Sequence, residues 1–190
     1  GYEMDEPLNE PIQPASFFET RPDLNYCAVC GASLEDRHAF GRERRYCPHC
    51  QRTVFYEHKV AAAVLITRND GRVLLVQRAR PPYQGRWSLP AGFVDVDEAP
   101  AAAAARECLE ETGLNVEITH LIEVIGGQRQ TGGADIVIVY RGVRTGGNLA
   151  AGDDACDARF FPLNQLPTLA FTSTVRTLAQ WRRQRNGESV

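Results

Sequence analysis

The sequence predicts an α/β domain preceded by a small cysteine-rich ribbon. Three observations carry this expectation. From Val60 onward, strand-like stretches are interrupted by an alanine-rich helix and end in an amphipathic one. Before them, residues 25–57 carry two C-x-x-C pairs in too little apolar sequence for an independent core. The chain has 190 residues, enough for one full core with some chain left over.

Residues 1–24 lack apolar periodicity and contain Pro7, Pro11, Pro14 and Pro22, which predicts an extended or disordered arm. Residues 25–57 form the ribbon, with two knuckles and a few short strands. Cys27 and Cys30 make one pair and Cys47 and Cys50 the other, with sixteen residues between the pairs. This spacing suits four thiolates closing on a tetrahedral zinc ion, and is favoured over a redox or disulfide role. Gly31 after the first pair and Pro48 within the second are the companions expected of such loops. Cys108 and Cys156 are read as small apolar residues. The ribbon patch Arg37, His38, Arg42, Arg44, Arg45 and Arg52 is basic. It is read first as a solvated surface, with an acidic or nucleic-acid partner as the alternative.

Residues 58–186 are the main domain. "VAAAVLIT" from Val60 is continuously apolar, as in a strand covered on both faces. "NDG" at 69–71 is a turn signal and "RVLLVQRA" returns, so the pair predicts a hairpin. "PPYQGRWSLPAG" at 81–92 is a loop rich in breakers. A helix follows, opened by Pro100 and stopped by Gly113. Residues 115–126 and 134–143 are strands by alternation and β-branching. Between them "GGQRQTGG" is a flexible hairpin loop near the site, because it leads into no helix and so cradles no phosphate. Residues 146–157 are a polar loop, "ARFFPL" a short strand and "NQLPTL" a helical turn. Residues 172–184 close the domain as a helix, with Val175, Leu178 and Trp181 on its apolar face.

Charge excludes some classes of function. Twenty-one basic and twenty-four acidic residues nearly balance, so no strong field favours nucleic acid or membrane. No apolar run of about 18 residues predicts a membrane span. The acidic, proline-rich start resembles neither a secretory signal nor a basic transit peptide. Met4, the single methionine, is expected to be the native start and the protein to be cytoplasmic.

The 100–112 helix carries the chemistry. With Glu107 at zero on a wheel of about 100° per residue, Glu111 lies near about +40° and Glu110 near about −60°. Ala101, Ala102, Ala105, Cys108, Leu109 and Thr112 are assigned to the opposite, sheet-facing side. Carboxylates spaced i,i+3 and i,i+4 repel one another, and Arg106 offsets only part of this. A divalent cation resolves the conflict, since Mg²⁺ and Mn²⁺ favour carboxylates together with substrate phosphates. Asp95, Asp97 and Glu98 precede the helix and could close on the same ion.

Gly92 to Leu114, "GFVDVDEAPAAAAARECLEETGL", resembles the Nudix box, G-x5-E-x7-R-E-U-x-E-E-x-G-U, with U a bulky apolar residue. Gly92, Glu98, Arg106-Glu107, Glu110-Glu111, Gly113 and Leu114 fill its named positions, and Cys108 stands at the first U. The resemblance implies an α/β/α sandwich around a mixed sheet. It also implies hydrolysis of a nucleoside diphosphate linked to another group. It assigns metal binding to Glu107, Glu110 and Glu111 with help from the carbonyl of Ala91, and shaping of the loop to Glu98 and Arg106. The base varies in this family, and Asp157 leads over Asp153 and Asp154, with Glu107 or Glu111 as alternatives.

The ribbon narrows the resemblance to ribbon–Nudix proteins. NADH pyrophosphatases share that order but carry S-Q-P-W-P-F-P-x-S after the box, which is missing here. A closer likeness is the subgroup of ADP-ribose and FAD pyrophosphohydrolases, through the cysteine pairs, "GRWSLPAGF" and "ARFFPLNQLPTLAFTSTVRTL". ADP-ribose or FAD is therefore the expected substrate. NADH hydrolysis or clean-up of oxidised nucleotides is the alternative within the class. A catalytically silent ligand sensor, or a nucleic-acid-binding module using the ribbon, is the alternative outside it. Tyr83, Trp87, Phe93 and Phe171 are candidate walls for a base or flavin, and Arg78, Arg86 and Arg129 candidate phosphate donors. The expected partner is a small nucleotide, with neither membrane nor nucleic acid, and a homodimer is admitted through the relatives.

Overall fold

The computed structural model describes residues 24–126 and 134–187. The predicted arm, apart from its last residue, and the 127–133 part of the glycine-rich loop, with Arg129, lie outside the described residues. The chain divides between Glu57 and His58 into two compact units.

The first unit is an antiparallel ribbon of β1 (Glu35–Ala39), β2 (Arg42–Cys47) and β3 (Arg52–Val54). Phe40 and Gly41 make its two-residue turn, both at positive φ, the backbone that matches the twist of paired strands. Its core is small: Cys27, Leu34 and Cys47 are buried, with Leu24, Ala32, Cys50 and Val54 packed around them. Much of the basic patch is neutralised or bonded. Arg37 pairs with Glu35, and Arg45 with Asp36. Arg44 donates to the Ala39 carbonyl and lies over the Phe55 ring.

The second unit is a sandwich. One sheet has the order β7-β4-β9-β8, from β4 (Val60–Ile66), β7 (Ala91–Phe93), β8 (Leu114–Gly126) and β9 (Ile136–Gly147). It is mixed: β4 and β9 run parallel and the other neighbours antiparallel. The other sheet has the order β10-β5-β6, from β5 (Val73–Arg78), β6 (Trp87–Ser88) and β10 (Ala155–Phe161). Helix α1 (Pro100–Thr112) covers one face and α2 (Thr172–Arg185) the other. The pleat explains the unbroken apolar run of β4. Ala62, Val64 and Ile66 pack with Ala103, Ala104 and Cys108 of α1, whereas Ala63 and Leu65 pack with Leu178 of α2.

Several local expectations are corrected. The 60–78 hairpin has its turn, with Gly71 N donating to Arg68 O, but its strands part after one bridge, Thr67 to Val73. The backbone groups of β4 are taken by β7 and β9, and those of β5 by β6 and β10. The 81–92 loop contains the short strands β6 and β7. "NQLPTL" makes one turn, with Gln165 N on Pro162 O, then extends to a bridge between Leu169 and Trp87. Val175 is exposed, and α2 buries Thr174, Thr177 and Leu178 instead. On α1 the buried side is Ala103, Ala104, Cys108, Glu111 and Thr112, whereas Leu109 is exposed. The sheet face thus lies beside the glutamates rather than opposite them, and Glu111 stands on its border.

Candidate active site and metal centre

The box folds as strand, loop and helix. Gly113 ends α1 in the left-handed region at φ 68°, and its N–H returns to Leu109 O at 2.8 Å. Glycine adopts that backbone without strain. The last carbonyls of α1 are satisfied from the 148–152 loop, where Ala150 N donates to Thr112 O and Gly152 N to Glu111 O. This brings Asp153 and Asp154 to the acidic end of the helix.

Arg106 organises the cluster. Its Nη2 donates to Glu98 Oε1 at 2.6 Å and to the Phe93 carbonyl at 3.1 Å, and its Nε donates to Glu98 Oε2 at 3.2 Å. Its Nη1 donates to Glu107 at 2.7 Å and Glu110 at 3.0 Å. Glu98 also accepts from Asp95 N at 3.1 Å, which closes the loop before the helix. The Arg106 hydrogen bonds hold the Glu98 carboxyl below its usual range. Glu98 and Arg106 thus tie the loop before α1 to the helix.

Glu111 is only 7% exposed and accepts from Ala91 N at 3.0 Å. Burial pushes its carboxyl up to about 8, and the neighbouring Glu107 and Asp154 charges add to that push. Burial likewise raises Glu107, and the charges of Glu110 and Asp153 oppose its ionisation further. Three carboxylates share one guanidinium, and no described guanidinium is bonded to Glu111. Such a set is short of positive charge and rich in oxygen donors, which suits a hard divalent cation.

Beside the cluster opens a cleft enclosing about 900 Å³. Ala91, Gly92 and Phe93 line it from β7, Arg78 from β5, Ile125 and Val137 from the mixed sheet, and Phe171 and Thr174 from the start of α2. Arg78 is held by a 2.7 Å hydrogen bond from Nε to Pro82 O and lies 4.9 Å over the Phe171 ring. Its charge acts on Glu111 in the direction that favours ionisation.

In the ribbon, the Sγ atoms of Cys27, Cys30, Cys47 and Cys50 lie within 4.8 Å of one another, and none of them is in a disulfide. A tetrahedron with metal–sulfur bonds of about 2.3 Å has edges of about 3.8 Å. The Cys27–Cys50 and Cys30–Cys47 separations are 4.0 and 3.6 Å. Backbone N–H groups of Val29 and Cys30 bring the Cys27 thiol down to about 6, toward the thiolate a metal needs. The geometry fits a four-coordinate ion.

A family model for the NUDIX domain matches residues 57–181. The chain belongs to the NUDIX family. It is 39% identical over 133 residues to a protein named ADP-ribose pyrophosphatase from Methanocaldococcus jannaschii, covering 70% of this chain and 78% of that one. It is 28% identical over 153 residues to a protein named NAD-capped RNA hydrolase NudC from Vibrio atlanticus, covering 80% of this chain and 54% of that one. It therefore spans about half the length of that relative. The crystal structure of a NUDIX hydrolase from Nitrosomonas europaea superposes with a TM-score of 0.72 at 27% identity, covering 88% of this chain and 96% of that one. The resemblance drawn from the Gly92–Leu114 motif holds at the level of the family, and the chain is a NUDIX hydrolase.

The NUDIX cleft receives some of the substrate-wall candidates and not others. Phe93 and Phe171 line it. Tyr83 packs edge-on against Phe171 at 5.5 Å, with Arg86 over the Tyr83 ring at 5.3 Å, one layer behind the lining. Trp87 is a core residue, 8% exposed and edge-on to Phe161 at 4.7 Å, because β6 turns it inward. Asp157 forms an ion pair with Arg159 at 2.5 Å, so the loop carboxylates acting on the NUDIX cluster are Asp153 and Asp154. Sequence reasoning missed Ser88, Asp135 and Thr174 in the lining. They carry no motif signal and come from separate elements, Ser88 from β6, Asp135 just before β9 and Thr174 from α2.

Gly92 of the NUDIX motif has a steric reason. A Cβ there would overlap the Glu107 carboxylate. Gly92→Ala is therefore expected to displace that carboxylate and to lower turnover by about tenfold or more, with little change in melting temperature. Wild-type turnover in that variant would show that Glu107 has room to stay in place.

Proposed function

We propose that this NUDIX hydrolase cleaves the pyrophosphate bond of a nucleoside diphosphate linked to another group, with ADP-ribose first and FAD second. The observation that carries the reading is the cluster of Glu107, Glu110 and Glu111 at the edge of a cleft that also holds Arg78 and Phe171. The 39% identity to a protein named ADP-ribose pyrophosphatase supports the order of substrates.

In this reading Glu107, Glu110 and Glu111, with the Ala91 carbonyl, hold Mg²⁺ or Mn²⁺. The chemistry that such an ion would supply there is neutralisation of the pyrophosphate oxygens and a lowered pKa for a bound water. Arg78 takes a phosphate oxygen, and Phe93 and Phe171 offer flat walls to a base or flavin. With Glu111 engaged as an ion ligand, the loop carboxylates Asp153 and Asp154 are the candidates to accept the proton of the water. Asp157 recedes as the base because Arg159 holds it. Zinc is the ion of the ribbon, with a structural role.

Chromatographic analysis of products from ADP-ribose, FAD, NADH, oxidised dGTP and diadenosine polyphosphates tests the reading. AMP from ADP-ribose or FAD at kcat/KM of about 10⁴ M⁻¹s⁻¹ or more is expected. Pyrophosphate from a nucleoside triphosphate would move the function to nucleotide clean-up. Tight binding without turnover of any compound would make the protein a sensor.

Proton and cation compete at Glu111. Its folded pKa of about 8 lies above the ordinary 4.5, so the ion-free fold keeps a proton that the unfolded chain loses between those values. That group therefore makes the ion-free fold less stable as pH rises through this window, and added Mg²⁺ offsets the loss. The rise in melting temperature on adding Mg²⁺ is expected to grow from about pH 6 to about pH 8. The growth should vanish in Glu111→Gln. A pH-independent rise would remove Glu111 from the ion site.

A further inference from the structure

We propose that a second cleft, between α2 and strands β8 and β9, binds a small oxyanion of the phosphate class. This cleft has a cavity volume of about 130 Å³ and shares no lining residue with the first. His120, Arg141, Thr177, Gln180, Trp181 and Gln184 line it together with aliphatic side chains, and no carboxylate is among them.

Two buried polar groups of the lining have no hydrogen-bond partner. Thr177 is 1% exposed, yet its Oγ1 has no partner. The indole Nε1 of Trp181 is also buried and unpartnered. Arg141 lies 4.7 Å over the Trp181 ring. Its Nη1 donates to Leu65 O at 2.7 Å and Gly142 O at 3.3 Å, and its Nη2 to Thr67 Oγ1 at 2.5 Å. These partners are all neutral, and no described carboxylate pairs with Arg141, so a half-buried cation stands there without a counter-charge. Burial holds its pKa below the usual value. The β8–β9 register shifts between Ile118 and His120, an irregularity of the kind that re-aims side chains. The Nδ1 of His120 meets Thr119, which leaves its Nε2 for a ligand.

Arginine, tryptophan and threonine side chains lining one space, two of them with an unpartnered polar group, match an anion with several oxygen acceptors. A cation finds no carboxylate in the lining. Water could meet the hydroxyl and the indole but would leave Arg141 uncompensated. Both inorganic phosphate and the phosphate group of a nucleoside monophosphate present this chemistry.

Calorimetric titration of the full chain, without added Mg²⁺ or Mn²⁺, separates these cases. Inorganic phosphate and AMP are titrated into wild type, Thr177→Val, Trp181→Phe and Glu110→Gln. Millimolar or tighter binding is expected in wild type and in Glu110→Gln, weakened about tenfold or more in Thr177→Val and in Trp181→Phe. Equal or tighter binding of inorganic phosphate identifies the free anion, whereas clearly tighter AMP binding with the same residue dependence identifies the phosphate of a nucleotide. Absence of heat with both probes overturns the proposal. So does binding that survives both cleft variants, or that disappears in Glu110→Gln. A rise in the melting temperature of Thr177→Val, with no phosphate-dependent shift in wild type, marks a cleft that holds no anion and also overturns it.

Discussion

Glu110→Gln is expected to lower kcat for ADP-ribose by about 10²-fold or more while the protein stays folded. The substitution keeps nearly the same shape and removes one negative charge from the proposed ion site. Its effect on stability is small for a geometric reason. Glu110 is more than 40% exposed at its side chain, and its 3.0 Å pair with Arg106 is one of several. Arg106 keeps Glu98, Glu107 and the Phe93 carbonyl. An exposed pair of this kind contributes less than about 1 kcal/mol. Activity and stability should therefore separate: kcat at saturating ADP-ribose and Mg²⁺ collapses, and the melting temperature hardly moves. Wild-type kcat would remove Glu110 from the site. A parallel fall in both quantities would make it a structural residue.

The motif at Gly92–Leu114 was legible because its chemistry is written in consecutive residues. Glu107, Glu110 and Glu111 lie one helical turn apart, and helix geometry alone gathers them. The C-x-x-C pairs were legible for the same reason, since each knuckle closes locally, as when Gly31 N returns to Cys27 O. What the sequence hid is set by long-range pairing. "VAAAVLIT" and "RVLLVQRA" look like a hairpin, yet whether they share a sheet depends on β9 and β10, distant in the chain. Trp87 precedes the motif and Phe93 is its second residue, and they look alike as aromatic walls. Only the register of β6 against β5 sends the first into the core, whereas Phe93 remains 47% exposed. The border position of Glu111 was hidden too, because α1 packs on a face centred near Cys108, an orientation the wheel cannot supply. That orientation matters chemically: it buries Glu111, whose proton affinity rises with the burial, and leaves the Glu110 side chain 43% exposed.

Cys27→Ser is expected to abolish zinc binding and to unfold the ribbon. The argument rests on how little else holds that unit together. Among its described residues three apolar side chains are buried in a cluster, and two of them are the cysteines Cys27 and Cys47, so the metal ligands are most of that core. A core of that size does not offset the chain entropy of more than thirty residues without a staple. Structural zinc in small domains supplies about 10–16 kcal/mol of folding free energy, and serine does not replace a thiolate as its ligand. The substitution removes the thiol that backbone N–H groups pull toward the ionised form. Zinc content by atomic absorption should fall from about one per chain to near zero. Limited proteolysis should then cut within 24–57, where β1, β2 and β3 hold the intact ribbon closed. Retention of zinc together with protease resistance in Cys27→Ser would show that Cys27 is not needed to hold the ion.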